Sequence, residues 1–325
     1  MIELFFWTIF FILGYLIIFF SADVFLDNLK DVCIIFGVSP FIIGALIIGI
    51  DPEESIASII AATSGLSYIA IGNVIGNSII ALTISFAIPA FFYKISFKST
   101  PQYYFILLYG CISLLLIGIL VKFGLFIVGI IVIFVYFIYF FMNVKNLTKE
   151  SAVDGILRDN SMQNGNQIYE LKEKSKSTKI ILIIISFIFI FLGGELLIFS
   201  TEQIIILTNI PETFFGLVII AFVTNVEELT LVIKSIKKKS IEIGIGGMIG
   251  KVFWNLTLTF GISAIIIGTF TISWILFWNW LILFILILYF NWISKKKSLK
   301  WDNGIVLTTI LIMFLIINFT VGIII

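Results

Sequence analysis

Long apolar runs separated by short polar breaks dominate this chain. Runs of about twenty residues with almost no charge match the thickness of a bilayer's hydrocarbon core. Ten occur, at roughly 3–22, 38–62, 67–93, 102–121, 124–143, 179–205, 212–233, 241–268, 273–293 and 304–324. One long polar stretch, about 144–178, separates the fifth run from the sixth and includes Lys145, Lys149, Asp154, Arg158 and Asp159. The pattern predicts an all-α membrane protein with ten transmembrane helices. A first five-helix unit covers 1–143, a solvated linker 144–178 and a second five-helix unit 179–325. No basic residue precedes the first run and no clear small-residue cleavage site follows it, so it reads as a retained span and not a signal peptide.

Lysine and arginine placement orients these spans. The segments after spans 1, 3, 5, 7 and 9 hold 18 of the 20 basic residues, leaving only Lys122 and Lys251 elsewhere. Those five segments, the linker among them, are expected on the cytoplasmic side and both termini outside. An odd number of spans per half then places the halves in opposite orientations, which makes the ten helices two inverted five-helix repeats.

An acidic motif inside the apolar runs occurs twice. Gly49-Ile50-Asp51-Pro52-Glu53-Glu54 returns as Val223-Thr224-Asn225-Val226-Glu227-Glu228. A glycine-rich helical stretch follows each copy, Gly72-Asn73-Val74-Ile75-Gly76-Asn77 and Gly246-Gly247-Met248-Ile249-Gly250-Lys251, at the same offset of 174. Phe20-Ser21-Ala22-Asp23 and Leu192-Gly193-Gly194-Glu195 also correspond, at an offset of 172, so a local irregularity is expected between Gly44 and Asp51. Carboxylates within a bilayer are costly and mark function. Duplicated, broken acidic helices are the mark of a transporter built from repeats.

Pro52 removes a backbone donor and disfavours helix at the residue before it, so span 2 is expected to break at Ile50–Asp51. Thr224 and Asn225 hold the matching place and can bond nearby backbone. Glu54 and Glu228 then project at mid-membrane, while Glu53 and Glu227 point about 100° away around the helix. Gly72, Gly76, Gly246 and Gly250 let the partner helices approach closely, bringing Asn77 and Asn255 within reach of the carboxylates.

Composition narrows the chemistry. With 61% hydrophobic and 12% charged residues, the chain is no soluble domain, and a net charge of +1 offers nothing to nucleic acid. The two cysteines have no C-x-x-C spacing, and there is no histidine. Ligands are therefore oxygens, which suit hard cations: the carboxylates of Asp51, Glu54 and Glu228, the amides of Asn77, Asn225 and Asn255, the Thr224 hydroxyl and carbonyls near Ile50. No nucleophile–base pair appears, so an enzyme is not expected. The partners implied are inorganic cations and the lipid bilayer, with no cofactor.

The two motifs resemble those of the cation/calcium exchanger superfamily, and within it the prokaryotic sodium/calcium exchangers. Their repeats read G-T-S-x-P-E followed by G-N-x-x-G-S and a later Asn or Asp. Here the likeness is carried by Gly49, Glu54, Gly72, Asn73, Gly76, Thr224, Glu228, Gly246 and Gly250. The resemblance implies a Ca2+/Na+ antiporter with Glu54 and Glu228 as paired calcium ligands, Thr224 and Asn225 adding oxygens, and Asn77 and Asn255 completing the sodium and calcium sites. The chain departs from the pattern at Ile50-Asp51 (Thr-Ser in the family), Glu53 (Pro), Ala81 (Asn) and Lys251 (Ser). Lys251 is expected to act as a tethered cation, its ammonium neutralising Asp51, Glu54 or Glu228. Two alternatives stay open: a cation/proton exchanger, and a non-transporting, ion-sensing membrane protein whose site Lys251 locks.

Overall fold

The computed structural model describes residues 2–35, 50–96, 102–121, 124–147, 176–237, 241–271 and 273–324. Most of the 144–178 linker, and residues 38–49 of the second expected span, lie outside them. The described chain is almost entirely helical.

Helix α1 is Ile2–Ile35, followed after the gap by α2, Pro52–Thr63, and α3, Ser67–Phe92. Then come α4, Gln102–Leu120, α5, Gly124–Leu147, and α6, Lys176–Thr208. The seventh expected span is in pieces. A first half, α7, runs through Glu212–Phe214, a π-helical stretch Phe215–Ile220 and Ala221–Val223; the second half, α8, is Val226–Lys237. Helix α9 joins Ile241–Trp254, π-helical Asn255–Thr259 and Phe260–Ile267; α10 is Trp274–Lys296 and α11 Trp301–Ile324.

Eight helices among the described residues are long and apolar enough to cross a membrane. The two expected spans missing from that set are those carrying the acidic motif. In each the motif opens a 12-residue half-helix, α2 or α8, about 18 Å long against a core of about 30 Å.

Helices α1 and α6 form an antiparallel pair. Trp7 packs on Phe199 near one end and Phe25 on Phe187 near the other. Backbone meets backbone between them: a Cβ on Gly14 would lie 2.7 Å from Leu197 N, and one on Gly193 2.9 Å from Gly14 O. Two further pairings answer each other. Helix α3 packs on α11, where Gly304 meets Ala87, and α9 packs on α5, where Gly129 meets Gly261. The third helix of each expected half thus seats on the last helix of the other.

Buried apolar side chains form two clusters. One unites α1, α2, α6 and the start of α3; the other runs through α3, α4, α5, α9, α10 and α11. Phe5, Phe134, Ile184, Phe187 and Ile316 instead face outward, as lipid contact requires. A two-residue antiparallel ladder pairs β1, Ile95–Ser96, with β2, Ser298–Leu299. It ties the segments after α3 and α10 to each other. Beside it Lys296 Nζ lies 3.6 Å from the Trp292 ring centroid, a cation–π contact.

Candidate cation site

The first break in the chain is where Pro52 demands it. Asp51 is non-helical (φ −122°, ψ 84°), Pro52 opens α2, and Asp51 Oδ1 accepts from Glu54 N at 3.2 Å. Asp51 is therefore the helix N-cap, a role the sequence reading did not assign it. Ile50 lies outside any helix and is half-buried. The second break is gentler. Thr224 and Asn225 form a turn in which Thr224 Oγ1 donates to Ile220 O at 3.1 Å and Asn225 Nδ2 to Ala221 O at 2.6 Å. Both half-helices begin at the site with acidic first turns, where the positive end of each helix dipole favours negative charge.

Three carboxylates meet one ammonium. Lys251, on α9, is 3% exposed. Its Nζ lies 2.6 Å from Asp51 Oδ2 and 2.8 Å from Glu54 Oε1, and it donates to Glu228 Oε1. One ammonium is thus paired with three carboxylates. Glu54 and Glu228, expected as partners, lie within reach of one cation. Lys251 does not snorkel to an interface.

Amides complete the wall. Asn255 Nδ2 donates to Glu54 Oε2 at 2.8 Å and reaches Asn77 Oδ1 at 3.2 Å, while Asn77 Nδ2 donates to Thr224 Oγ1 at 2.9 Å. Among the described residues Asn77 is therefore linked to a carboxylate through Asn255, and the direct contact expected of it is not seen. Asn73 Nδ2 donates to Ser58 Oγ at 2.9 Å and holds the outer turn of α2 against α3. The π-helical turn that carries Asn255 also carries Thr259, whose hydroxyl is 2.7 Å from Ser55 Oγ; Ser55 in turn accepts from Trp254 Nε1 at 2.7 Å. The sequence reading missed this Ser55–Trp254–Thr259 clasp, whose residues are ordinary lipid-span types.

Gly72 and Gly76 do permit close approach, but to the π-helical part of α7. A Cβ on Gly76 would fall 2.0 Å from Leu217 O, and one on Gly72 3.2 Å from Leu217 N. Gly246 does not share this role among the described residues. Among them nothing lies within 4 Å of its would-be Cβ. Gly250 is buried.

Glu53 corrects the sequence reading. It is buried, and its carboxylate lies with those of Asp51 and Glu228 in a group whose ligand oxygens are all within 4.8 Å of one another. As the second residue of a helix whose cap is Asp51, it stays at the break instead of rotating away. Four buried oxygens here, Glu54 Oε1, Asn73 Oδ1, Asn225 Oδ1 and Glu228 Oε2, have no hydrogen-bond partner among the described residues. Such oxygens are costly without a donor or a cation, and the donor set is the all-oxygen kind that hard cations take.

The family model of the sodium/calcium exchanger protein matches residues 6–145 and 178–320. The chain belongs to the sodium/calcium exchanger family. It is an integral, multi-pass membrane transport protein, and its family is one of transporters of inorganic cations, not of enzymes. Two curated relatives are similar to it. The uncharacterized membrane protein MJ0091 of Methanocaldococcus jannaschii is 26% identical over 74% of this chain and 76% of its own length. The inner membrane protein YrbG of Escherichia coli is 24% identical over 78% of each. Among solved structures, the sodium-calcium exchanger NCX_Mj soaked with Na+ and Sr2+ superimposes with a TM-score of 0.64 at 22% identity, covering 96% of this chain and 98% of that one. A form of NCX_Mj soaked with no Na+ or Ca2+ gives 0.59 at 20% identity. This exchanger-family chain therefore has the NCX_Mj fold.

Proposed function

We propose that this protein is a secondary active antiporter that exchanges Ca2+ for Na+ by alternating access at a mid-membrane carboxylate site. The observation that carries this reading is the meeting of Glu54 and Glu228, from the two copies of the motif, on one buried ammonium. Groups that share one Nζ are close enough to share one metal ion. Desolvated carboxylates resist crossing the membrane uncompensated, so the protein changes faces only when cations neutralise them, and that condition makes transport an exchange.

The architecture we assign is two inverted five-helix repeats, 1–143 and 179–325, joined by a cytoplasmic linker over 144–178, with both termini outside. The antiparallel α1–α6 pair and the reciprocal α3–α11 and α9–α5 pairings support it. Within the site, Asp51, Glu54, Thr224, Asn225, Glu228, Asn77 and Asn255 supply oxygens, and Lys251 stands as a tethered cation.

Ca2+ uptake into proteoliposomes tests the reading. Uptake driven by an outward Na+ gradient, and lost in Glu54→Gln and Glu228→Gln, is the expected result. Uptake driven by a pH gradient without Na+ would mark a cation/proton exchanger. The three ion pairs of Lys251 favour one further reading, a locked, ion-sensing protein, which would bind cations without flux under either gradient.

A further inference from the structure

We propose that Trp254 is a positioning residue of the cation site: acting through Ser55, its indole N–H sets where the Asp51 carboxylate stands against the Lys251 ammonium. The inference rests on the cation-transport reading above and adds to that site a residue from outside the duplicated motif. Ser55 Oγ has three partners. It lies 2.8 Å from Asp51 O, 2.7 Å from Trp254 Nε1 and 2.7 Å from Thr259 Oγ1. A serine hydroxyl has one proton to give and two lone pairs, and an indole N–H only donates. The assignment that uses every position has Ser55 donating to the Asp51 carbonyl and accepting from Trp254 and Thr259. Ser55 and Thr259 are buried, so a lost partner leaves a dry polar atom behind.

These contacts close a ring. Asp51 is held at two ends, its carbonyl by Ser55 and its carboxylate by Lys251 at 2.6 Å. Lys251 and Trp254 lie three residues apart on α9, neighbours on the helix surface, so the helix itself completes the circuit. Tyr136 of α5 meets the indole edge-on, its ring centroid 5.3 Å away, and backs it from behind. The π-helical turn that follows Trp254 carries Asn255 to Glu54 and Thr259 to Ser55, so one turn of α9 grips adjacent residues of α2. A second indole supplies the contrast. Trp280 Nε1 donates to Ile112 O at 2.8 Å, a bond of the same kind that joins α10 to α4 away from the carboxylates. Its loss weakens packing and leaves the Asp51–Lys251 pair in place.

A double-mutant cycle on the purified full-length protein tests the proposal without requiring transport. Thermal midpoints are compared for Trp254→Phe and Trp280→Phe, each in the wild-type and Asp51→Asn backgrounds. Trp254→Phe is expected to lower the midpoint about twice as far in wild type as in Asp51→Asn, where the pair that the clasp aligns is already gone. Trp280→Phe is expected to shift both backgrounds equally. Equal shifts for Trp254→Phe as well overturn the proposal. Should Trp254→Phe not fold, Thr259→Val takes its place in the cycle, with Thr259→Ser as the variant that keeps the hydroxyl. Coupling to Asp51 in the valine variant and none in the serine variant is expected, and no coupling in either overturns the proposal. In Ca2+ titrations Trp254→Phe is expected to weaken binding about fivefold and Trp280→Phe by less than about twofold; equal weakening by the two overturns the role. The two readings fail separately. Sodium-driven uptake with no coupling in the cycle removes the positioning role and keeps the exchanger. Coupling without Ca2+ or Na+ flux removes exchange and keeps the positioning role.

Discussion

Asn255 Nδ2 sits 2.8 Å from Glu54 Oε2, and the residues are 201 positions apart in the chain. This bond joins a broken helix of one half to the glycine-rich helix of the other. Asn255→Leu removes the donor and leaves a buried carboxylate oxygen unsatisfied. A loss of about 1–3 kcal/mol is expected, read as a lower midpoint in a detergent thermal-shift assay, together with loss of cation flux. An unchanged midpoint would show that Glu54 finds another donor.

Lys251 has the largest electrostatic consequence. Removing one member of a buried ion pair costs about 3–5 kcal/mol, because its partners stay charged and dry. Lys251→Ser is therefore expected to be much less stable in cation-free buffer. Saturating Na+ or Ca2+ is expected to restore it, since a ligand at a hundred times its Kd adds about 2.7 kcal/mol. If Lys251 replaces a transported ion, the sodium Hill coefficient of exchange rises in the same variant. An unchanged coefficient and reversal potential would count against the tethered-cation role.

Asp51 combines a cap with a charge, and two substitutions separate them. Asparagine caps a helix about as well as aspartate, whereas alanine forfeits about 1 kcal/mol. Asp51→Asn keeps the bond to Glu54 N and loses the pair with Lys251; Asp51→Ala loses both. Chemical denaturation of the two variants is expected to place Asp51→Ala lower by about that cap energy. Equal midpoints would remove the capping role.

Two glycines, one from each glycine-rich stretch, are expected to respond differently. Gly76→Ala drives a methyl into the Leu217 carbonyl, 2.0 Å from the would-be Cβ, and overpacking of this kind costs at least about 1–3 kcal/mol. Gly246→Ala meets nothing within 4 Å among the described residues, and alanine's better helix propensity is worth about 1 kcal/mol there. Comparing thermal midpoints checks both. A destabilised Gly246→Ala would place an unseen neighbour against that helix.

Sidedness is open to direct labelling. With Cys33 and Cys111 replaced, a single cysteine at Ser151 in the linker is expected to react with an impermeant maleimide in inside-out vesicles and not in right-side-out ones. The reverse pattern would invert the assigned topology.

What the sequence determined by itself is the medium, the repeat and the motif. Ten apolar runs cannot be buried in a soluble domain. Lysine follows membrane sidedness because charge does not cross hydrocarbon, and Pro52 alone was enough to forecast the break at Asp51. Those are local or compositional constraints, and they can be read along the chain. The family likeness of Glu54 and Glu228 was legible for the same reason. Only the tertiary structure decided which carboxylates lie together. Rotation about an ideal helix sent Glu53 away, but Glu53 belongs to a first turn whose cap is itself in the site, and α8 arrives there from 174 residues along. The Ser55–Trp254–Thr259 clasp and the seating of Gly76 on Leu217 were equally hidden. Each joins segments whose proximity depends on how the helices pack, and side-chain chemistry along a single helix holds no record of that packing.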